Sequence, residues 1–128
     1  MAELDEAQLI AMARRVGIGN HDQNICARSK LVSVRWALAQ NPSLTFTPAI
    51  RRLAHDKECP VRMMLAANRN IDSGTQISLS TDTDPRVRYA LACNTAIGEN
   101  VRDILRSDED RDVAACVDYQ PWKMTKIQ

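Results

Sequence analysis

Apolar residues recur along the chain at the spacing of one helix face. A Val is followed three residues later by Ala, Met or Cys and four residues later by Leu or Val, beginning with Val34, Ala37 and Leu38. Residues at i, i+3 and i+4 lie on the same side of an α-helix. The pattern therefore predicts a series of amphipathic helices, and four glycines in 128 residues are too few for a chain of β-turns.

The helical pattern repeats with a period of about 26 residues. The recurring Val occupies positions 34, 61, 87 and 113, and the first three copies are followed by Arg. Other columns keep the same register, namely Leu53, Leu79 and Leu105 before the last three Val positions and Asn41, Asn68 and Asn94 after the first three. A unit this short cannot cover its own apolar face, so neighbouring units must stack. We expect an all-α solenoid of about four two-helix units with helical caps.

The repeat also predicts where the units begin and end within a single domain of residues 1–128. Residues 1–28 form an N-terminal cap and degenerate unit, 29–55, 56–81 and 82–107 form full units, and 108–128 form a degenerate unit and C-terminal cap. Thr47 and Pro48 are typical of an N-cap and first turn. We expect the Asn column to end helices in the left-handed conformation.

The segments NPSLTFTPAIRRLAHDKECPVRMMLAAN and LSTDTDPRVRYALACN, residues 41–68 and 79–94, resemble the leucine-rich repeat variant family. Their Asp and Val-Arg spacing is similar to that of HEAT repeats. The resemblance implies a right-handed superhelix in which α-helices alternate with short helices, often 3₁₀, and it implies no particular function. Some members of the family carry a Cys-rich iron–sulfur segment, but the cysteines here are isolated, so no cofactor is expected.

Charge and cysteine content bear on the binding partner, the compartment and the state of the thiols. Lys and Arg number 17 against 16 Asp and Glu, which gives no global attraction to nucleic acid. The acidic start and the lack of a long apolar run predict a cytoplasmic protein without a membrane span. In that compartment we expect four free thiols, Cys26, Cys59, Cys93 and Cys116.

Two recurring charged columns are expected to have a structural role. They are Arg35, Arg62 and Arg88, and Asp56, Asp82 and Asp108. In the second and third full units, the Asp precedes the Arg by six residues and lies at the start of a helix. This spacing favours a ladder of charged side chains that joins stacked units. The pairs His55–Cys59 and His21–Cys26 (with Asp22) lack further ligands, so neither a metal nor a catalytic site is predicted.

A third column suggests a contact surface. The residue after each Arg is Trp36, Met63 or Tyr89, which lies opposite the Val and Leu positions on the helix. Ala67 and Cys93 extend this stripe. Large side chains in register on an outward face are typical of interfaces; alternatively, they pack against neighbouring units.

The resulting hypothesis is a non-catalytic protein- or peptide-binding scaffold. The alternative is a nucleic-acid-binding helical-repeat module. Its candidate cations do not fall in one column of the repeat and are Arg14, Arg15, Arg28, Lys30, Arg51, Arg52, Arg102 and Arg106.

Overall fold

A computed structural model describes residues 3–119, and this part of the chain contains nine α-helices and no strand. The prediction of an all-α fold is confirmed. The helices are α1 (Glu6–Ala13), α2 (Asn20–Ala27), α3 (Val32–Ala39), α4 (Thr47–Ala54), α5 (Cys59–Ala67), α6 (Ser73–Ser80), α7 (Pro85–Ala92), α8 (Glu99–Arg106) and α9 (Arg111–Val117).

Local sequence explains where the helices begin. Asp5, Asp72, Asp84 and Asp110 cap α1, α6, α7 and α9 by accepting hydrogen bonds from backbone N–H groups of the first turn. Proline occupies the first turn of α4, α5 and α7, where no intrahelical donor is needed. The N-cap of α4 is Phe46, so the prediction of Thr47 as the cap was wrong by one residue.

The helices contact one another in two series. The odd-numbered helices α1, α3, α5, α7 and α9 touch in that order, as do the even-numbered helices α2, α4, α6 and α8. Each helix also contacts the next one along the chain. Apolar side chains from both series form one buried cluster, which includes the Val and Leu columns at positions 34, 38, 53, 61, 65, 79, 87, 91, 105 and 113. Burial of each Leu contributes about 2 kcal/mol or more to this cluster.

The Asn column does not end helices in the left-handed conformation. Within residues 3–119, no residue other than Gly17 has a positive φ. Instead, the Asn68 side chain is buried and donates from Nδ2 to the carbonyls of Ala39 and Asn41, at 2.8 and 3.0 Å. Its Oδ1 accepts from the backbone N–H of Asn70. The prediction failed because Asn satisfies carbonyls of the preceding unit rather than relieving backbone strain.

Asn41 and Asn94 repeat these contacts. Asn41 donates to the carbonyls of Ala13 and Arg15, and Asn94 donates to those of Ala66 and Asn68. A row of buried amides therefore connects successive odd-numbered helices.

The prediction of four free thiols was also wrong. Cys93, at the end of α7, forms a disulfide with Cys116 in α9, with the two Cα atoms 5.8 Å apart. The two helices are neighbours, and this separation suits a disulfide. Cys26 and Cys59 remain free, and burial raises the pKa of the Cys26 thiol to about 11.

Residues 3–119 contain no helix with the length and hydrophobicity of a membrane span. Of the degenerate unit and C-terminal cap expected in residues 108–128, residues 120–128 lie outside the described part of the chain.

Candidate functional site

The Arg and Asp columns form ion pairs between neighbouring units. The Arg62 Nε donates to Asp82 Oδ2 at 2.8 Å, and Nη2 donates to Asp82 Oδ1 at 3.3 Å. Its remaining Nη1 donates to the carbonyl oxygen of Asp56 at 2.6 Å. One guanidinium therefore binds a carboxylate of the next unit and the backbone at the start of its own unit.

The same arrangement occurs on both sides of Arg62. Arg35 pairs with Asp56 at 2.7 Å and donates to the carbonyl of Ser29, while Arg88 pairs with Asp108 at 2.8 Å and donates to the carbonyl of Asp82. All three pairs are largely shielded from solvent. Their donors and acceptors are used within the fold, so this geometry offers no acid or base to a substrate.

The pKa shifts within the Arg–Asp pairs indicate that the paired side chains are charged. Burial acts to raise the pKa of Asp108, but hydrogen bonds from Arg88 and from the Asp110 backbone N–H lower that pKa below its usual value. A hydrogen bond to the Asp108 carboxylate raises the pKa of Arg88. Both partners of this pair therefore stay ionised at neutral pH, as bidentate Arg–carboxylate pairs do.

The predicted stripe divides into residues with different surroundings. Trp36 and Met63 are half-buried and pack against the apolar cluster. Tyr89 is 46% exposed, and Ala67 and Cys93 are also exposed. The alternative that the stripe packs against neighbouring units therefore fits Trp36, whereas much of the Tyr89 side chain is exposed to solvent.

Met63 and Tyr89 line the same groove across α5, α7 and α9. The groove has a volume of about 550 Å³, within the range of peptide and ligand sites. Its other lining residues lie in α7, in α9 or next to them, and are Pro85, Arg86, Asp110, Asp112, Ala115, Cys116 and Tyr119. The remaining stripe residues are not part of this lining, although Cys93 is bonded to Cys116 there.

The lining of the groove includes apolar and acidic side chains. Met63, Tyr89 and Ala115 are here named the apolar floor, and Asp110 and Asp112 are named the acidic rim. Arg86 is neutralised by Asp84 at 2.8 Å, and its guanidinium holds the pKa of that carboxyl well below the usual range. Neither Asp110 nor Asp112 forms a direct ion pair within residues 3–119, although the charge of Asp110 contributes to the raised pKa of Arg88.

Sequence reasoning missed the contribution of the last unit to this site. Asp110 accepts from the N–H groups of Asp112 and Val113, which starts α9 beside α7. Asp112 and Ala115 then line the groove. The available signal was Ala115 itself, which continues the column of Trp36, Met63 and Tyr89 with a small side chain.

No group of three or more His, Cys, Asp or Glu side chains within residues 3–119 is placed to hold a metal ion. Comparison with protein-family models, curated proteins and solved structures found no match.

Proposed function

We propose that this chain is a short right-handed helical solenoid, similar to leucine-rich repeat variant proteins, that acts as a non-catalytic scaffold for binding a protein or peptide. The repeat in the sequence and the two ordered series of helices support the architecture. The three Arg–Asp pairs and the buried Asn residues support a role for these columns in joining the units. A cytoplasmic location belongs to the same proposal; the four free thiols expected from that location are contradicted by the Cys93–Cys116 disulfide.

The observation that supports binding best is the exposed ring of Tyr89 in the groove across α5, α7 and α9. Tyr combines a large apolar surface with a hydroxyl that donates and accepts hydrogen bonds, and it is enriched at binding hot spots. Met63 lies beside it and adapts its shape to a bound side chain. The floor therefore suits an apolar or aromatic side chain.

The acidic rim indicates the charge of the partner residues that lie next to the bound apolar side chain. Asp110 and Asp112 both line the groove, and neither forms a direct ion pair within the described residues. A Lys or Arg next to the apolar side chain would complement them and would speed association. The proposed partner is thus a peptide segment with an aromatic residue flanked by basic residues.

A direct test uses a fluorescein-labelled peptide containing Lys-Trp-Lys and the full chain, with binding followed by fluorescence anisotropy. Tyr89→Ser should weaken binding at least about tenfold, because an aromatic hot-spot residue contributes about 2 kcal/mol or more and about 1.4 kcal/mol corresponds to tenfold. Helicity and melting temperature should change little, since Tyr89 is 46% exposed.

The matched control is Ile77→Ser in α6, which removes a similarly exposed apolar side chain (43%) away from the groove. Ile77→Ser should bind like the unaltered protein. Equal losses in the two variants, or binding that Tyr89→Ser leaves unchanged, would contradict the assignment of the groove.

A further inference from the structure

Positive charge is concentrated in one part of the chain although the net charge is +1. Residues 28–58 contain six Lys and Arg against two carboxylates, Asp56 and Glu58. Residues 99–118 contain three Arg against seven carboxylates. The near-neutral total therefore conceals a basic N-terminal half and an acidic C-terminal half.

The structure brings together two turns that carry basic residues. Arg35 donates to the carbonyl of Ser29 at 2.8 Å and to the carboxylate of Asp56 at 2.7 Å. The turns that follow α2 and α4 are consequently no farther apart than one guanidinium can bridge. Arg28 and Lys30 flank Ser29, and His55 and Lys57 flank Asp56.

Arg51 and Arg52 add two charges in the last turn of α4. The two neighbouring segments 28–30 and 51–57, here named the basic edge, carry five exposed, charged side chains: Arg28, Lys30, Arg51, Arg52 and Lys57. None of the five forms an ion pair within the described residues.

Stabilisation of helix ends does not account for this much charge. The C-terminal end of a helix carries about half a negative charge, so the ends of α2 and α4 together amount to about −1. Glu58 adds one further negative charge, while Asp56 is already neutralised by Arg35. The basic edge retains an excess of about three positive charges, which would attract an anionic partner.

The same edge loses its positive charge farther along the molecule. Arg28, His55, Thr81 and Ser107 occupy equivalent positions after the even-numbered helices, and each is followed two residues later by Lys30, Lys57, Thr83 or Glu109. The cations therefore occupy two adjacent units, then give way to hydroxyls and finally to an acidic residue. An extended polyanion would bind along the first two units.

From this charge distribution we infer that the basic edge binds the phosphodiester backbone of a nucleic acid, a second activity beyond the proposed peptide site. A nucleic acid carries one phosphate per nucleotide whatever its sequence, so recognition by cations alone suits it. The three arginines can each donate two parallel hydrogen bonds to a phosphate. An acidic protein is the competing partner, and its carboxylates would have to match the same cations.

The test measures the salt dependence of binding to fluorescein-labelled 20-mer duplex DNA and single-stranded RNA of mixed sequence. Five phosphate contacts predict that log Kd rises with log salt concentration with a slope of about 4.5 for the duplex and somewhat less for the single strand. Arg52→Gln combined with Lys57→Gln should lower the duplex slope by about 2. Both side chains are exposed, so folding should be preserved.

The matched control is Arg69→Gln combined with Arg111→Gln, which removes the same charge from exposed positions outside the basic edge. It should keep the original slope. The inference is overturned if both double variants lose equal affinity, if neither nucleic acid binds at 50 mM salt, or if a polyglutamate peptide of equal charge binds more tightly. Binding of the Lys-Trp-Lys peptide should be unaffected by Arg52→Gln/Lys57→Gln, which separates this result from that for the groove.

Discussion

Replacing Arg62 by Ala should destabilise the fold by about 2 to 4 kcal/mol. The change removes two hydrogen bonds to Asp82, a residue whose side chain is 8% exposed, and one to the carbonyl of Asp56. Hydrogen bonds to charged groups contribute about 1.5 to 3 kcal/mol, and breaking a fully buried ion pair costs about 3 to 5 kcal/mol. Arg62 remains 15% exposed, so the expected cost falls below the upper limit.

The measurement is the free energy of unfolding in urea, followed by far-UV circular dichroism. For a domain of this size, the expected loss also lowers the melting temperature by about 10 °C. Arg86→Ala is the control, because Arg86 pairs with Asp84 at the same 2.8 Å but its side chain is 68% exposed. That variant should retain nearly the full stability of the unaltered protein.

A double-mutant cycle shows whether the loss comes from the pair. Asp82→Ala added to Arg62→Ala should cost less than the sum of the two single changes, because the unpaired carboxylate is removed along with its donor. The reasoning is refuted if Arg62→Ala is no less stable than Arg86→Ala, or if the two changes at the pair are additive.

Two further predictions concern cysteine and pH. Thiol titration of the denatured, unreduced chain should count two groups, Cys26 and Cys59, and four after reduction, since Cys93 and Cys116 are bonded; four groups before reduction would contradict the disulfide. Stability should fall as the pH drops below about 4, because the pKa of Asp108 is lower in the folded state than in the unfolded state and the unfolded chain binds protons first. Unfolding free energies measured from pH 7 to pH 3 should show this decline, and Asp108→Asn should make it less steep; an unchanged slope in that variant would count against the pair.

The helical content and the apolar core could be predicted from sequence, because both depend on local spacing. The Val and Leu columns mark one helix face, and each is buried as that spacing requires. The pairing of the Arg and Asp columns could also be predicted from spacing. A charged column that recurs with the structural period must meet its neighbour in the next unit, as Arg62 meets Asp82.

Features that depend on contacts between units were harder to predict. Asn68 was interpreted through its backbone preference, whereas the structure uses its side-chain amide to bind two carbonyls from the preceding unit. Cys93 and Cys116 occupy different positions within their units, so no column connects them, and the disulfide follows from the way α7 and α9 pack. The acidic rim was missed because Asp112 belongs to the degenerate last unit.

NMR can show whether the groove across α5, α7 and α9 binds a peptide. Amide shifts of the ¹⁵N-labelled chain would be followed during titration with the Lys-Trp-Lys peptide. We expect the largest changes at Met63, Tyr89, Asp112 and Ala115, which share this groove. Changes centred on α4 and α6, or no changes at millimolar peptide, would exclude this binding site.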